Sequence, residues 1–225
     1  MFTTRFQKWV RRNAQRLARR LVGLGVTPNE VTVAGMLVTF VSAGLAATGY
    51  LLPAGLVLAF SGTFDILDGA LARASRLTYN YGAFLDSTVD RFSEAAVYIG
   101  IAVYFLGSHG ALLRWQVLGA LFALAGSFLV SYVRARAQSL GYTCDVGLFA
   151  RPERVVAIVA GLVLAGLGFT AVLTWIVWAL AVLTNFTVLQ RINEVWRQAR
   201  EERRTRREEA AVGMPKGTRP VGRDL

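Results

Sequence analysis

Four aspartates stand inside otherwise apolar stretches of this chain: Asp65 and Asp68, three residues apart, and Asp86 and Asp90, four apart. In a helix each pair shares one face. An ionisable group at the centre of a membrane span costs about 2.5–3.5 kcal/mol on insertion scales, so it faces a cavity or a partner. Carboxylates facing one another repel, and either some protonate or a cation enters. Hard oxygen ligands suit Mg²⁺ or Mn²⁺. Two other readings of the same acids are an ion-pair lattice with Arg73, Arg76 and Arg91, and a cation-coupling site in a transporter. Around the acids, Gly69, Ala72 and Gly82 are small enough for a helix or an anionic ligand to lie against the backbone. Arg73 can bind a phosphate. Metal, small residues and arginine together suit a diphosphate. Glu94, one turn past Asp90, is expected to pair with an arginine rather than bind metal.

The elements that must position these groups follow from hydropathy. The chain has 225 residues, 54% hydrophobic and 17% charged, with a mean hydropathy of +0.44. The apolar residues fall in runs near the length that crosses a bilayer core of roughly 30 Å. This excludes an ordinary soluble enzyme, a disordered chain and a disulfide scaffold. Cys144 is the single cysteine and His109 the single histidine, so intrachain disulfides and multi-cysteine or multi-histidine metal sites are excluded. Six runs emerge, over residues 31–52, 54–71, 81–106, 111–133, 155–167 and 170–189. The first ends at Pro53. The second and third are expected to pack as an antiparallel pair.

The net charge of +11 is concentrated at the two ends and in alternate connectors. Connectors 49–53, 107–110 and 166–169 hold no charged residue, whereas those after the second and fourth runs hold many. The positive-inside rule then puts both termini and the acidic site at the cytoplasmic face of the cell membrane. Basic segments flanking spans read as anchors to anionic membrane lipid and not as a nucleic-acid surface. Residues 1–24 form a juxtamembrane amphipathic helix, with Phe2, Phe6, Trp9, Val10, Ala14, Leu17, Leu21 and Leu24 on one face. Residues 25–193 form the membrane domain. Residues 194–225 form a charged tail, helical at first and disordered after Gly213. The fold class is therefore all-α: six transmembrane helices preceded by an interfacial helix. Trp115, Trp175 and Trp178 suit the outer interface.

The string DILDGALARASRLTYNYGAFLDSTVD, residues 65–90, fits D-x2-D-G-x2-A-R-x8-G-x3-D-x3-D at all eight fixed positions. It resembles the signature of the CDP-alcohol phosphatidyltransferases. The resemblance covers roughly residues 20–195 and implies six membrane helices, a homodimer, and transfer of a phosphatidyl-type group from CDP-diacylglycerol to an alcohol with release of CMP. It implies Asp65, Asp68 and Asp86 as metal ligands, and Asp90 as catalytic base and further ligand. Gly69, Ala72 and Arg73 become cytidine diphosphate contacts. Pro28 and Asn29 match an element that approaches the nucleotide; as a plain helix start, Asn29 would be the cap.

The acceptor is read from arginines. Arg134 and Arg136 end the fourth run, Arg151 and Arg154 open the fifth, and Arg191 ends the sixth. Such a cluster suits a phosphorylated polyol. SYVRARAQSLGYTCDVGLFARPER, residues 131–154, is similar to the matching stretch of the phosphatidylinositol-phosphate synthase subgroup. That implies Arg134, Arg136, Arg154 and Arg191 as phosphate contacts and inositol 1-phosphate as acceptor; Arg134 stands where the subgroup has lysine. Glycerol 3-phosphate is the alternative acceptor, and a cation-coupled transporter is the alternative of a different class.

Overall fold

The computed structural model describes residues 14–75, 80–107, 112–147 and 151–212. These form helices joined by turns and short loops and contain no strand. Helix α1 covers residues 14–23. It is followed by α2 (Pro28–Ala47), α3 (Leu51–Ser75), α4 (Asn80–Leu106), α5 (Leu113–Ser139), α6 (Arg151–Gly166) and α7 (Thr170–Val212). Phe2, Phe6, Trp9, Val10, Arg76, His109 and the tail beyond Val212 lie outside the described residues.

Local chemistry sets the helix ends, with some corrections to the sequence reading. Thr27, not Asn29, caps α2: its hydroxyl accepts from Glu30 N–H, the Glu30 carboxylate accepts from Thr27 N–H at 2.8 Å, and Pro28 opens the helix. The chain reverses after α2 at Gly49, whose φ of +87° suits glycine. Pro53 therefore falls in the first turn of α3 and does not end a helix; its missing N–H is one that no helix would use there. Helix α5 carries Arg134 and Arg136 inside its last turns. It ends at Gly141 (φ +86°) in a Schellman arrangement, with Tyr142 N–H to Ala137 O at 3.0 Å and Gly141 N–H to Gln138 O at 3.1 Å. Helix α7 runs unbroken for 43 residues, because neither glycine nor proline interrupts it between the apolar half and the charged half.

The six long helices close into a ring. Helix α2 packs on α3 and α4, α4 on α5, α5 on α7, α7 on α6, and α6 back on α3. Thus α3 and α4 do not form the expected pair, since α2 lies between them. Small residues decide this. Gly35 lies beneath Phe64, where an added Cβ would sit 2.8 Å from the Phe64 Cβ. At Gly100 an added Cβ would collide with the backbone carbonyl of Ala43, so α4 and α2 touch backbone to backbone. Inside the ring, Leu58, Tyr98, Ile101, Phe105, Leu162, Leu173 and Leu180 form the main buried cluster.

Helices α2, α3, α5 and α7 are long and apolar enough to cross a bilayer, and the chain is a membrane protein. Helix α6 has only 16 residues, and the first half of α4 carries Asp86, Asp90, Arg91 and Glu94. Helix α1 docks rather than only lying flat: Ala18 is fully buried with Val31, Ala70 and Leu71, while Leu17 and Leu24 are exposed. Far from the aspartates, Trp115, Trp175, Trp178 and Tyr104 line a cavity of about 570 Å³.

Candidate active site

The acids gather at one end of the ring, from helices that do not pack on each other. Asp65 and Asp68 come from α3, Asp86 and Asp90 from α4. Asp65 interacts electrostatically with Asp68, Asp86 and Asp90. Helix α2 supplies the link. Thr32, one turn beyond Pro28, donates to Asp68 Oδ2 at 2.8 Å, and this fixes the buried carboxylate. Sequence reasoning missed Thr32; its position four residues after Pro28, on the same helix face, was the available signal.

Between α2, α3 and the start of α4 lies a cavity of about 340 Å³. Pro28, Asn29, Asp68, Gly69, Ala72, Gly82 and Asp86 line it, so it unites seven of the residues singled out from sequence. Thr32, Asn80 and Ala83 complete the lining. Gly82 faces Asn29 across the cleft: the Asn29 Oδ1 would lie in ordinary contact, 3.5 Å, with a Cβ at that position. Gly69 leaves room for Arg73, whose guanidinium lies 3.4 Å from the same construction. Arg73 is thus exposed at the rim, over the glycine.

Arg151, at the start of α6, bridges two of the acids. One guanidinium nitrogen is 2.9 Å from Asp65 Oδ2 and the other is 2.7 Å from Asp90 Oδ1. Arg151 is therefore the close ion-pair partner of Asp65 and Asp90; of the arginines in the alternative ion-pair reading, Arg91 approaches Asp90 to 3.8 Å and Arg76 lies outside the described residues. Among the described residues no three acids, histidines or cysteines form a ready-made metal cage. The donor set nonetheless fits a divalent cation. It is made of hard carboxylate oxygens, and a positive group already stands between Asp65 and Asp90.

Three residues further along α6, Arg154 reaches Glu94 instead. Its Nε and Nη2 donate to the two carboxylate oxygens at 2.7 and 3.0 Å, and both side chains are buried. Glu94 has the arginine partner expected for it. The other arginines converge partly. Arg191 lies within electrostatic reach of Arg134 and Arg154. It donates to the carbonyls of Val146 and Val130. Arg134 pairs with Asp145 at 2.7 Å on the surface. Arg136 is exposed and donates to Ser139 in its own last turn. The arrangement offers a cleft with small walls for a diphosphate, acids beside it for a cation and a proton, and a neighbouring basic group for a second anion.

Comparison with known proteins gives a consistent picture. The family model described as CDP-alcohol phosphatidyltransferase matches residues 25–184. The archaetidylinositol phosphate synthase of Pyrococcus horikoshii is 39% identical over 172 residues, covering 74% of this chain and 87% of that protein. The phosphatidylinositol phosphate synthase of Corynebacterium glutamicum is 36% identical over 177 residues, covering 78% and 80%. The crystal structure of the Mycobacterium tuberculosis phosphatidylinositol phosphate synthase with CDP-DAG bound matches with a TM-score of 0.76 at 34% identity, over 82% of this chain and 94% of that one. The same mycobacterial enzyme in complex with manganese and citrate also matches with a TM-score of 0.76.

Proposed function

The chain belongs to the CDP-alcohol phosphatidyltransferase family, and from that premise we propose that it transfers the phosphatidyl group of CDP-diacylglycerol to inositol 1-phosphate. The products are phosphatidylinositol phosphate and CMP. The observation that carries this is the 340 Å³ cleft lined by Pro28, Asn29, Asp68, Gly69, Ala72 and Asp86, with Asp90 and the Arg134–Arg191 group beyond it. The relatives named as inositol phosphate synthases support the acceptor.

In this reading the cytidine diphosphate lies along Gly69 and Ala72, with Pro28 and Asn29 beneath the nucleotide and Arg73 over the phosphates. Asp65, Asp68, Asp86 and Asp90 would hold Mg²⁺ or Mn²⁺, which supplies positive charge against the diphosphate and the departing CMP; the manganese complex of the mycobacterial relative supports a divalent ion. Thr32 keeps Asp68 in place. Arg134, Arg136, Arg154 and Arg191 orient the acceptor's phosphate, Arg154 from within its pair with Glu94. A sugar hydroxyl is a weak nucleophile until a base within hydrogen-bond reach takes its proton. Asp90 is that base. Its Oδ1 is engaged by Arg151 at 2.7 Å, while Oδ2 has only the distant Arg91 at 3.8 Å. The oxygen of the acceptor attacks the lipid-side phosphorus, the bond to the CMP oxygen breaks, and holding both partners in line does most of the remaining work.

Residues 25–193 are the catalytic domain, and the six long helices of the ring all span. Both termini and the site face the cytoplasm, as the uncharged alternate connectors suggest, and the chain works as a homodimer. Purified protein given CDP-diacylglycerol and a divalent metal should release CMP with inositol 1-phosphate and yield phosphatidylinositol phosphate. Preference for glycerol 3-phosphate would reassign the acceptor. Product from free inositol or serine alone would end the phosphorylated-acceptor reading, and cation flux across vesicles without CMP would make it a transporter.

A further inference from the structure

Residues 142–147 cross the end of the ring as a strap between α5 and the part of α7 that continues beyond the apolar half. The strap starts after the Schellman turn at Gly141. It closes against α7 at Gly147, where φ is +145° and an added Cβ would lie 2.7 Å from Thr187 Cγ2. Two of the arginines assigned to the acceptor depend on it. Arg191 Nε donates to Val146 O at 2.9 Å, and Arg134 pairs with Asp145 at 2.7 Å. Cys144, in the middle, is fully buried, in electrostatic reach of both arginines. Burial pushes its thiol pKa up.

The first two turns of the charged tail hold this strap. The Gln198 amide reads the Thr143 peptide from both sides: Thr143 N–H donates to Oε1 at 3.0 Å, and Nε2 donates to Thr143 O at 2.7 Å. Glu194 Oε1 accepts from the same amide nitrogen at 3.1 Å and fixes its orientation. One turn on, Tyr142 OH donates to Glu202 Oε2 at 2.9 Å. Residues 142–147 form no helix or strand of their own, so such bonds set how often the segment opens.

We propose that Gln198 is a positioning residue for the acceptor half of the site: it closes the 142–147 strap and thereby sets Arg134 and Arg191 for the acceptor's phosphate. The proposal deepens the reading given under Proposed function and rests on it. It gives the tail a role in the reaction that acts through Arg134 and Arg191.

Cys144, the only thiol in the chain, reports on the strap without any substrate. The test uses the full-length protein in detergent, wild type against Gln198→Ala, with Arg204→Ala in the outer part of the tail as control. N-ethylmaleimide should label Cys144 in Gln198→Ala about 5- to 10-fold faster, the size expected when the net contribution of about one neutral hydrogen bond closing a segment is lost. The KM for inositol 1-phosphate should rise by a similar factor of roughly 5–10, with the KM for CDP-diacylglycerol and the saturated rate unchanged. Tyr142→Phe should shift both readouts the same way by less, and Arg204→Ala should shift neither. Unchanged labelling overturns the strap. Faster labelling with an unchanged acceptor KM overturns the positioning role, as does an equal loss toward both substrates. A wild type that ignores inositol 1-phosphate condemns the acceptor reading, and the thiol rates then still decide whether Gln198 closes the strap.

Discussion

Arg151 and Arg154 stand three residues apart on α6, and both reach an acid on α4, one turn apart. Their settings differ. Arg154 and Glu94 are sealed, with side-chain exposures of 2% and 6%. Arg151 is 30% exposed, and its partners Asp65 and Asp90 are 46% and 13% exposed. A sealed pair cannot exchange its partner without leaving a bare charge in the interior, which costs more than the pair contributes. The Arg151–Asp65 contact exchanges at smaller cost because water reaches both of those side chains. The same chemistry thus makes a brace at one level of the ring and a replaceable counter-charge at the next. The replaceable one sits where a cation and a phosphate must come and go.

Four variants probe that contrast. Asp90→Asn keeps the shape and removes the proton acceptor, so turnover should fall by about 10²–10⁴-fold, with CDP-diacylglycerol binding retained; normal CMP release would take the base role away from Asp90. Glu94→Ala strands Arg154 in the interior and should cost about 3–5 kcal/mol of stability. Thermal unfolding in detergent would read this as a large drop or a failure to fold, and an unchanged midpoint would contradict the sealed description. Arg134→Ala removes an exposed arginine and should raise the acceptor KM about 10- to 100-fold, the range for a hydrogen bond to a charged group, with the midpoint unmoved. The idea fails if the lipid substrate's KM moves instead. Arg151→Gln should change stability by no more than about 1 kcal/mol in the absence of metal. It should also enlarge the stabilisation produced by added Mn²⁺, since the competing charge is gone. A destabilisation as large as that of Glu94→Ala would abolish the distinction between the two arginines.

Some of this was legible in the residues alone. The i, i+3 and i, i+4 spacing put each pair of aspartates on one helix face, and the small residues near them marked a wall against which a ligand can lie; the cleft unites five residues chosen that way, Asp68, Gly69, Ala72, Gly82 and Asp86, with Pro28 and Asn29, which the family resemblance added. The helices were visible as apolar runs, although their ends moved. Helix α5 carries its arginines inside the helix, and α7 continues well past its apolar half, because hydropathy reports the lipid boundary and not the end of hydrogen bonding. Thr32 and Gln198 were not found, and Arg151 was found only as one of the cytoplasmic arginines, without its bond to the aspartates. Each acts through a partner far along the chain, at sequence separations of 36, 86 and 55 residues.

The sequence by itself determined the helical class, the apolar lengths, the arrangement of charge at the ends of the runs, and the chemistry of the acidic pairs. These are local quantities, fixed by the period of the helix and by the cost of a charge in lipid. Tertiary structure decided which faces meet. Contact at Gly35 and Gly100 places α2 between α3 and α4, which makes a cleft in place of a closed helix pair. It also gives Arg154 a buried carboxylate and Arg151 an open pair of them. Close packing between helices depends on shape complementarity summed over residues distant in sequence, and no single stretch of chain contains that information.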